Sequence, residues 1–211
     1  MREVANAHEG VEGGALDAEL RRLCEGGRPT EAATLAIRRL GPELLRFLTH
    51  ALRDETRAGD AFSLFAEDVW RGLPGFRWES SFRTWAYLLA RRAAARQARG
   101  EKARGVNVPL SEAGPLSQLV AEVRTHTQSV MRNERRSALD QLRDELDVDE
   151  RMLLALRIER ELPWPEIAHV LAEGEDVTLA AARLRKRFQL LKDRLKKRGR
   201  ELGLVPSGSD G

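Results

Sequence analysis

The sequence predicts an all-α protein of two small helical domains joined by a linker. Three observations carry that prediction. Apolar residues recur at intervals of three and four through every periodic stretch, which puts them on one face of a helix. No segment alternates apolar and polar residues as a half-buried strand does. Residues 100–118, GEKARGVNVPLSEAGPLSQ, lack periodicity and hold Pro109 and Pro115 among turn formers, so they read as the linker. The implied layout is a tail over 1–14, a helical domain over 15–99, the linker over 100–118, a second domain over 119–200 and a tail over 201–211.

Residues 1–14, rich in Glu, Gly and Ala, have little to bury. A helical pattern starts at Ala15 and stops at Gly26-Gly27. Thr30 suits the cap of a helix that begins at Glu31 and carries Leu35, Ile37 and Leu40. Gly41-Pro42 is where that helix is expected to kink or break, while Leu44, Leu45, Phe47, Leu48 and Leu52 extend its apolar face. A further helix over 60–71 aligns Phe62, Phe65, Val69 and Trp70, and Gly72-Leu73-Pro74-Gly75 ends it. The next connection, FRWESSF over 76–82, is unusually aromatic and basic. Helix resumes near Ser81 and runs to Arg99, with Trp85, Leu88 and Leu89 inward and Arg91, Arg92, Arg96 and Arg99 outward.

The second domain opens with a polar helix over 119–145. Asp147 with Glu150 makes a capping box for a helix through Arg160, whose Met152, Leu153, Leu156 and Ile158 are expected to pack inward. A short helix over 163–172 has Pro165 in its opening turn, where a missing N–H costs least, and a stripe of Ile167, Ala168, Val170 and Leu171. Gly174, Glu175 and Asp176 break the pattern, and Asp176 or Thr178 can cap the next helix. From Leu179 on, Leu184, Phe188, Leu191 and Leu195 share one face while Arg183, Arg185, Lys186, Arg187, Lys192, Lys196 and Lys197 load the other. That is the outline of a helix-turn-helix whose second helix suits a major groove. The blander reading is a solvated basic face.

Composition narrows the function classes. A formal charge of only +3 hides strong segregation of charge, which fits an acidic partner bound by particular faces. Cys24 is the one cysteine, and His8, His50, His126 and His169 show no ligand spacing, so no metal or cofactor is expected. Nothing reads as a phosphate-binding glycine loop, a nucleophile elbow or a His–carboxylate arrangement, which argues against an enzyme. No apolar run approaches a membrane span and no signal-peptide core is legible, so the expectation is a soluble, cytoplasmic monomer.

Two blocks, in this order and a linker apart, resemble bacterial RNA polymerase sigma factors of the sigma-70 family, of the extracytoplasmic-function type. The first is DAFSLFAEDVW (60–70) followed by FRWESSFRTWAYLLARRAAARQAR (76–99), similar to the family's region 2. The second is LDQLRDELDVDERMLLALRIERELPWPEIAHVLAEGEDVTLAAARLRKRF (139–188), similar to region 4. Ser63-Leu64 stands where relatives usually have Gln-Glu, Arg91-Arg92 where Arg-Asn is usual, and TLAAAR (178–183) where Thr-Val-Lys-Ser-Arg is usual. The resemblance implies a promoter-specificity subunit with no catalysis of its own. Its first domain would bind RNA polymerase core and the −10 element, and its second the −35 element. It puts the polymerase contact on Asp60, Ser63, Leu64 and Glu67, names promoter DNA as a partner, and admits an anti-sigma protein as another.

The residues have chemistry to match. Opening a promoter requires capture of unstacked bases. Aromatic and Arg side chains stack on such bases with about 1–3 kcal/mol each, and a basic groove holds the phosphates. Arg77, Trp78, Ser80, Ser81 and Arg83, with Arg91, Arg92 and Arg96 after them, supply those groups. Phe82 and Trp85 read as core anchors, which leaves Trp78 as the better base contact. Early residues of a recognition helix reach base edges and later basic ones meet phosphate. Thr178, Ala181, Ala182 and Arg185 are therefore groove-side candidates, and Arg183, Lys186, Arg187 and Lys192 base or phosphate candidates. The alternative is a helix-turn-helix regulator that binds duplex DNA without acting as a sigma subunit.

Overall fold

A computed structural model describes residues 2–100, 110–132 and 145–202. Among the described residues every regular element is helical. The chain divides into two compact units, Met1–Met131 and Arg132–Gly211.

In the first unit α1 spans Arg2–Glu25, so the backbone is already helical where the composition suggests a tail. Ala and Glu are strong helix formers, and no proline interrupts this stretch. Helix α2 (Pro29–Leu52) starts with proline at its first position, where no backbone donor is lost. Thr30 lies inside it, and the Arg28 guanidinium pairs instead with Glu31 of the first turn. Pro42 neither breaks nor ends α2. Ala33, Ala36, Ile37, Leu44, Leu45 and Leu48 stay in phase and buried across it, and their burial outweighs the roughly 3 kcal/mol that an interior proline costs.

Helix α3 (Glu55–Gly72) is capped by Asp54, whose carboxylate accepts from the Arg57 N–H at 2.9 Å. It buries Phe62, Phe65, Val69 and Trp70, the face that the periodicity predicts. A single 3-10 turn, Leu73–Gly75, leads into the loop 76–81. Ser81 then caps α4 (Phe82–Ala98) by accepting from the Thr84 N–H. Phe47 meets Tyr87 edge-on at 5.0 Å, which joins α2 to α4 at the centre of the bundle.

Helix α5 (Leu110–Arg132) departs from the layout that the sequence predicts. Part of the expected linker, 101–109, lies outside the described residues, as does much of the expected polar helix, 133–144. From Leu110 the chain is helical, with Pro115 inside the helix. Leu116, Leu119, Val120, Val123 and Thr127 form its buried stripe. Glycines on the partners make room for it. A Cβ on Gly41 would sit 3.0 Å from Val123, and one on Gly59 would fall 2.4 Å from the Arg124 guanidinium. Thus α5 packs within the first unit, and the division of the chain falls at its C-terminal end.

The second unit begins its described part with the expected capping box, Asp147 and Glu150 each accepting from the other's backbone N–H. Helix α6 (Val148–Leu154) passes into a π-helical turn, Ala155–Glu159, where the spacing predicts plain helix. The wider turn rotates the residues after it. Met152, Leu153, Ala155 and Leu156 are buried, but Ile158 is turned out to 57% exposure, against expectation. Helix α7 (Trp164–Leu171) buries Ile167, Ala168 and Val170. The turn 172–176 uses Gly174 at φ +81, a conformation that glycine adopts without strain. Asp176 caps α8 (Val177–Glu201) by accepting from the Leu179 N–H at 2.9 Å. Ala180, Leu184, Phe188 and Leu191 face inward, and Trp164 lies edge-on to Phe188 at 5.5 Å, joining α7 to α8.

Candidate nucleic-acid interfaces

Each unit carries one candidate surface. On the first, four rings gather around the loop 76–81. Phe76 stacks on Trp85 at 4.7 Å and meets Trp78 at 4.8 Å. Phe82 is buried, as its spacing predicts, whereas Trp85 is only half-buried. The Trp85 ring lies against Gly72, where a Cβ would come within 3.1 Å. Trp78 holds a left-handed backbone at φ 60, an uncommon conformation for a bulky side chain. Its half-buried ring packs on Phe76 on one side and takes the Arg21 guanidinium, 5.0 Å from its centre, on another. One turn of α1 away, Asp17 accepts from the Phe82 N–H. Residues of α1 therefore hold the aromatic segment at Trp78 and at Phe82.

Arg77 extends into solvent, 82% exposed and only loosely paired with Glu79. Ser80 is half-buried beside it, and Ser81 is committed to its cap. Arg83 departs from its sequence assignment. It turns inward, 17% exposed, and donates twice to Glu43, which also accepts from the Tyr87 hydroxyl. Its partner lies forty positions earlier on α2, so no local pattern signals the pairing.

Beyond the loop, α3 and α4 enclose a groove of about 580 Å³ lined by Asp68, Arg71, Trp85, Leu89, Arg92, Arg96 and Arg99. Four guanidinium groups face one carboxylate there. Arg96 pairs with Asp68. Burial pushes the Asp68 carboxyl above its ordinary value, opposed by Arg96, Arg71 and Arg92. Arg91 is half-buried and does not line this groove. Arg71 and Arg99 line it as well, beyond the residues that the sequence assigns to the site. Arg99 continues the spacing of Arg92 and Arg96 and is legible as such, but Arg71 comes from a different helix.

Of the residues expected to meet polymerase on α3, Asp60 is exposed and Ser63 and Glu67 are half-buried. Leu64 differs, since at 4% exposure it belongs to the core. Its neighbours on the buried face, Ala61 and Phe65, fix that orientation. Burial raises the Glu67 carboxyl above its ordinary value, with Arg71 acting against it.

The second surface is the outer side of α8. Thr178, Ala182, Arg185 and Lys186 are exposed. Ala181 is not, at 9%, because the inward face of α8 begins with the pair Ala180-Ala181. Several arginines are engaged within the unit. Arg183 makes a two-pronged contact with Glu175 of the turn, and its hydrogen bonds pull the Glu175 carboxyl below its ordinary value. Arg187 reaches Asp147, Arg194 reaches Glu150 and Arg198 reaches Glu145. Arg185 lies 5.7 Å from the Trp164 ring, and the Lys192 ammonium 5.8 Å from that of Phe188. Among the described residues Lys186, Lys196 and Lys197 make no ion pair.

A helical body with rings at one end of an arginine-lined groove can take an unstacked, negatively charged strand. Residues 36–104, about a third of the chain, match the family model of sigma-70 region 2. The matched segment contains α3, the aromatic loop and α4 entire, and it supports membership of the sigma-70 family. No curated protein and no solved structure matches the chain.

Proposed function

We propose that the chain is a promoter-specificity subunit of RNA polymerase, a sigma factor of the extracytoplasmic-function type. The match of residues 36–104 to sigma-70 region 2 carries this reading. Catalysis stays with the polymerase, and this subunit contributes recognition alone. Asp60, Ser63 and Glu67 on α3 meet polymerase core. Arg77 and Trp78 receive a base that leaves the −10 stack, beside Ser80, while Arg92 and Arg96, joined by Arg71 and Arg99, hold the strand's phosphates in the groove, and Arg91 lies outside it.

In the second unit α7, the turn and α8 act as a helix-turn-helix on the −35 element. The first turns of α8 enter the major groove, where Thr178, Ala182 and Arg185 face base edges. Lys186 and Lys192 meet phosphate. Arg183 and Arg187 reach DNA only by exchanging Glu175 and Asp147 for phosphate. Run-off transcription with purified chain and polymerase core on genomic fragments tests the assignment. Defined start sites are expected only when both proteins are present. Failure of the pair to initiate from any fragment contradicts it.

A further inference from the structure

We propose that Leu179 is a specificity residue that packs on a thymine 5-methyl group in the major groove. The inference rests on the sigma-factor reading and goes beyond it, to a contact made by this chain's own sequence. Leu179 is the most exposed large apolar side chain among the described residues, at 73%. It stands in the first turn of α8, where a helix-turn-helix meets base edges.

The side chain has no freedom to turn inward. Its own backbone N–H is held by the Asp176 carboxylate at 2.9 Å. The next residues, Ala180 and Ala181, are packed inward at 1% and 9% exposure, and Leu184 lies beyond them at 5%. Rotating α8 to hide Leu179 would expose all three.

Its surroundings fit a duplex. Ala182, Arg183 and Lys186, three, four and seven positions on, share its side of the helix, and all are exposed. The nearby acids are already engaged, Asp176 in the cap and Glu175 with Arg183. An apolar side chain flanked by Lys186 and the Glu175-paired Arg183 suits a polyanion that offers an apolar group. In the major groove that group is the thymine methyl, which no other base carries. Leu190 supplies an internal control. It is 62% exposed on the same side but eleven residues on, about 16 Å along the axis, beyond reach of the same base pair.

The test uses the full chain bound to polymerase core. Duplexes are selected from a random pool, and thymines of the upstream element are then replaced one at a time by uracil, which removes only the methyl. Wild-type holoenzyme is expected to lose about fourfold in affinity at one or two positions, the amount for one buried methyl-sized group. Leu179→Ala is expected to bind the thymine and uracil duplexes equally, and Leu190→Ala to discriminate like wild type. Both substitutions put a good helix former in place of another, so α8 is retained.

An upstream element with no thymine, or one indifferent to uracil, overturns the inference and leaves the sigma reading intact. Discrimination that survives Leu179→Ala overturns it equally. Equal losses in Leu179→Ala and Leu190→Ala on both duplexes assign these two leucines to a protein partner and overturn the base contact. Failure of the holoenzyme to select any duplex removes the sigma reading and this inference with it.

Discussion

Trp78 joins a costly backbone to a half-buried ring held between Phe76 and the Arg21 guanidinium. Its φ of 60 costs a residue with a Cβ about 1–2 kcal/mol relative to the ordinary regions. Glycine bears no such cost but loses the ring's contacts with Phe76 and Arg21, so the two effects oppose each other and Trp78→Gly is expected to stay folded with a stability loss of about 1–2 kcal/mol. It is also expected to reduce promoter opening about tenfold while leaving initiation from a pre-melted template nearly unchanged. Run-off rates on the two templates measure the split. Arg83 makes the opposite case. Removing it leaves Glu43 with Tyr87 in a half-buried site, so Arg83→Ala should lower unfolding free energy by about 1–3 kcal/mol without altering DNA selectivity. Thermal denaturation and a competition binding assay separate those two effects. Asp68 brings pH into the groove. Its carboxyl titrates above its ordinary value because burial disfavours the ion, so the folded chain holds that proton more tightly than the unfolded chain. Its contribution to stability is present below the unfolded value and is lost as pH rises through the folded one. The difference in denaturation midpoint between wild type and Asp68→Asn should therefore vary with pH across that interval and flatten above it.

At the scale of elements, the sequence makes legible whatever depends on near neighbours. Helices α3, α4, α7 and α8 each carry an apolar face within their own span, and Asp176 and the Asp147–Glu150 box do what their spacing predicts. The features that escape it depend on distant partners or on backbone geometry. The attachment of α5 relies on Gly41 and Gly59, some sixty or more positions earlier, so its apolar stripe alone could not tell which body it joins. The exposure of Ile158 comes from a π turn that leaves the apolar spacing of 152–158 looking ordinary. Likewise Leu64 and Ala181 are buried because of the packed faces of their helices, which family motifs at those positions do not reveal. Gly41→Val should crowd Val123 and Phe62 and destabilise the first unit by about 1–3 kcal/mol. Hydrogen exchange is expected to rise first along α5, and Val123→Ala should reproduce that loosening by leaving space instead of filling it. Asp176→Ala removes the α8 cap and should cost about 1 kcal/mol, read as fraying of the first turn of α8 by the same method.

For the whole molecule, the proposed function gives two units of one chain two pieces of one promoter, with polymerase core as the platform that makes the pair effective. On either surface the cations are partly engaged by the chain's own carboxylates, as with Arg96 and Asp68 or Arg183 and Glu175. Weak binding to DNA by the isolated chain is the expected consequence, and linkage through a common platform raises the effective concentration of one contact once the other has formed. A regulator that reads duplex DNA unaided needs no such platform. The most direct test is therefore the affinity of the full chain for its selected promoter duplex at fixed salt, measured with and without polymerase core. A sigma subunit should bind tightly and selectively only with core present, and weakly and unselectively without it. Equal, selective affinity in both conditions would contradict that role.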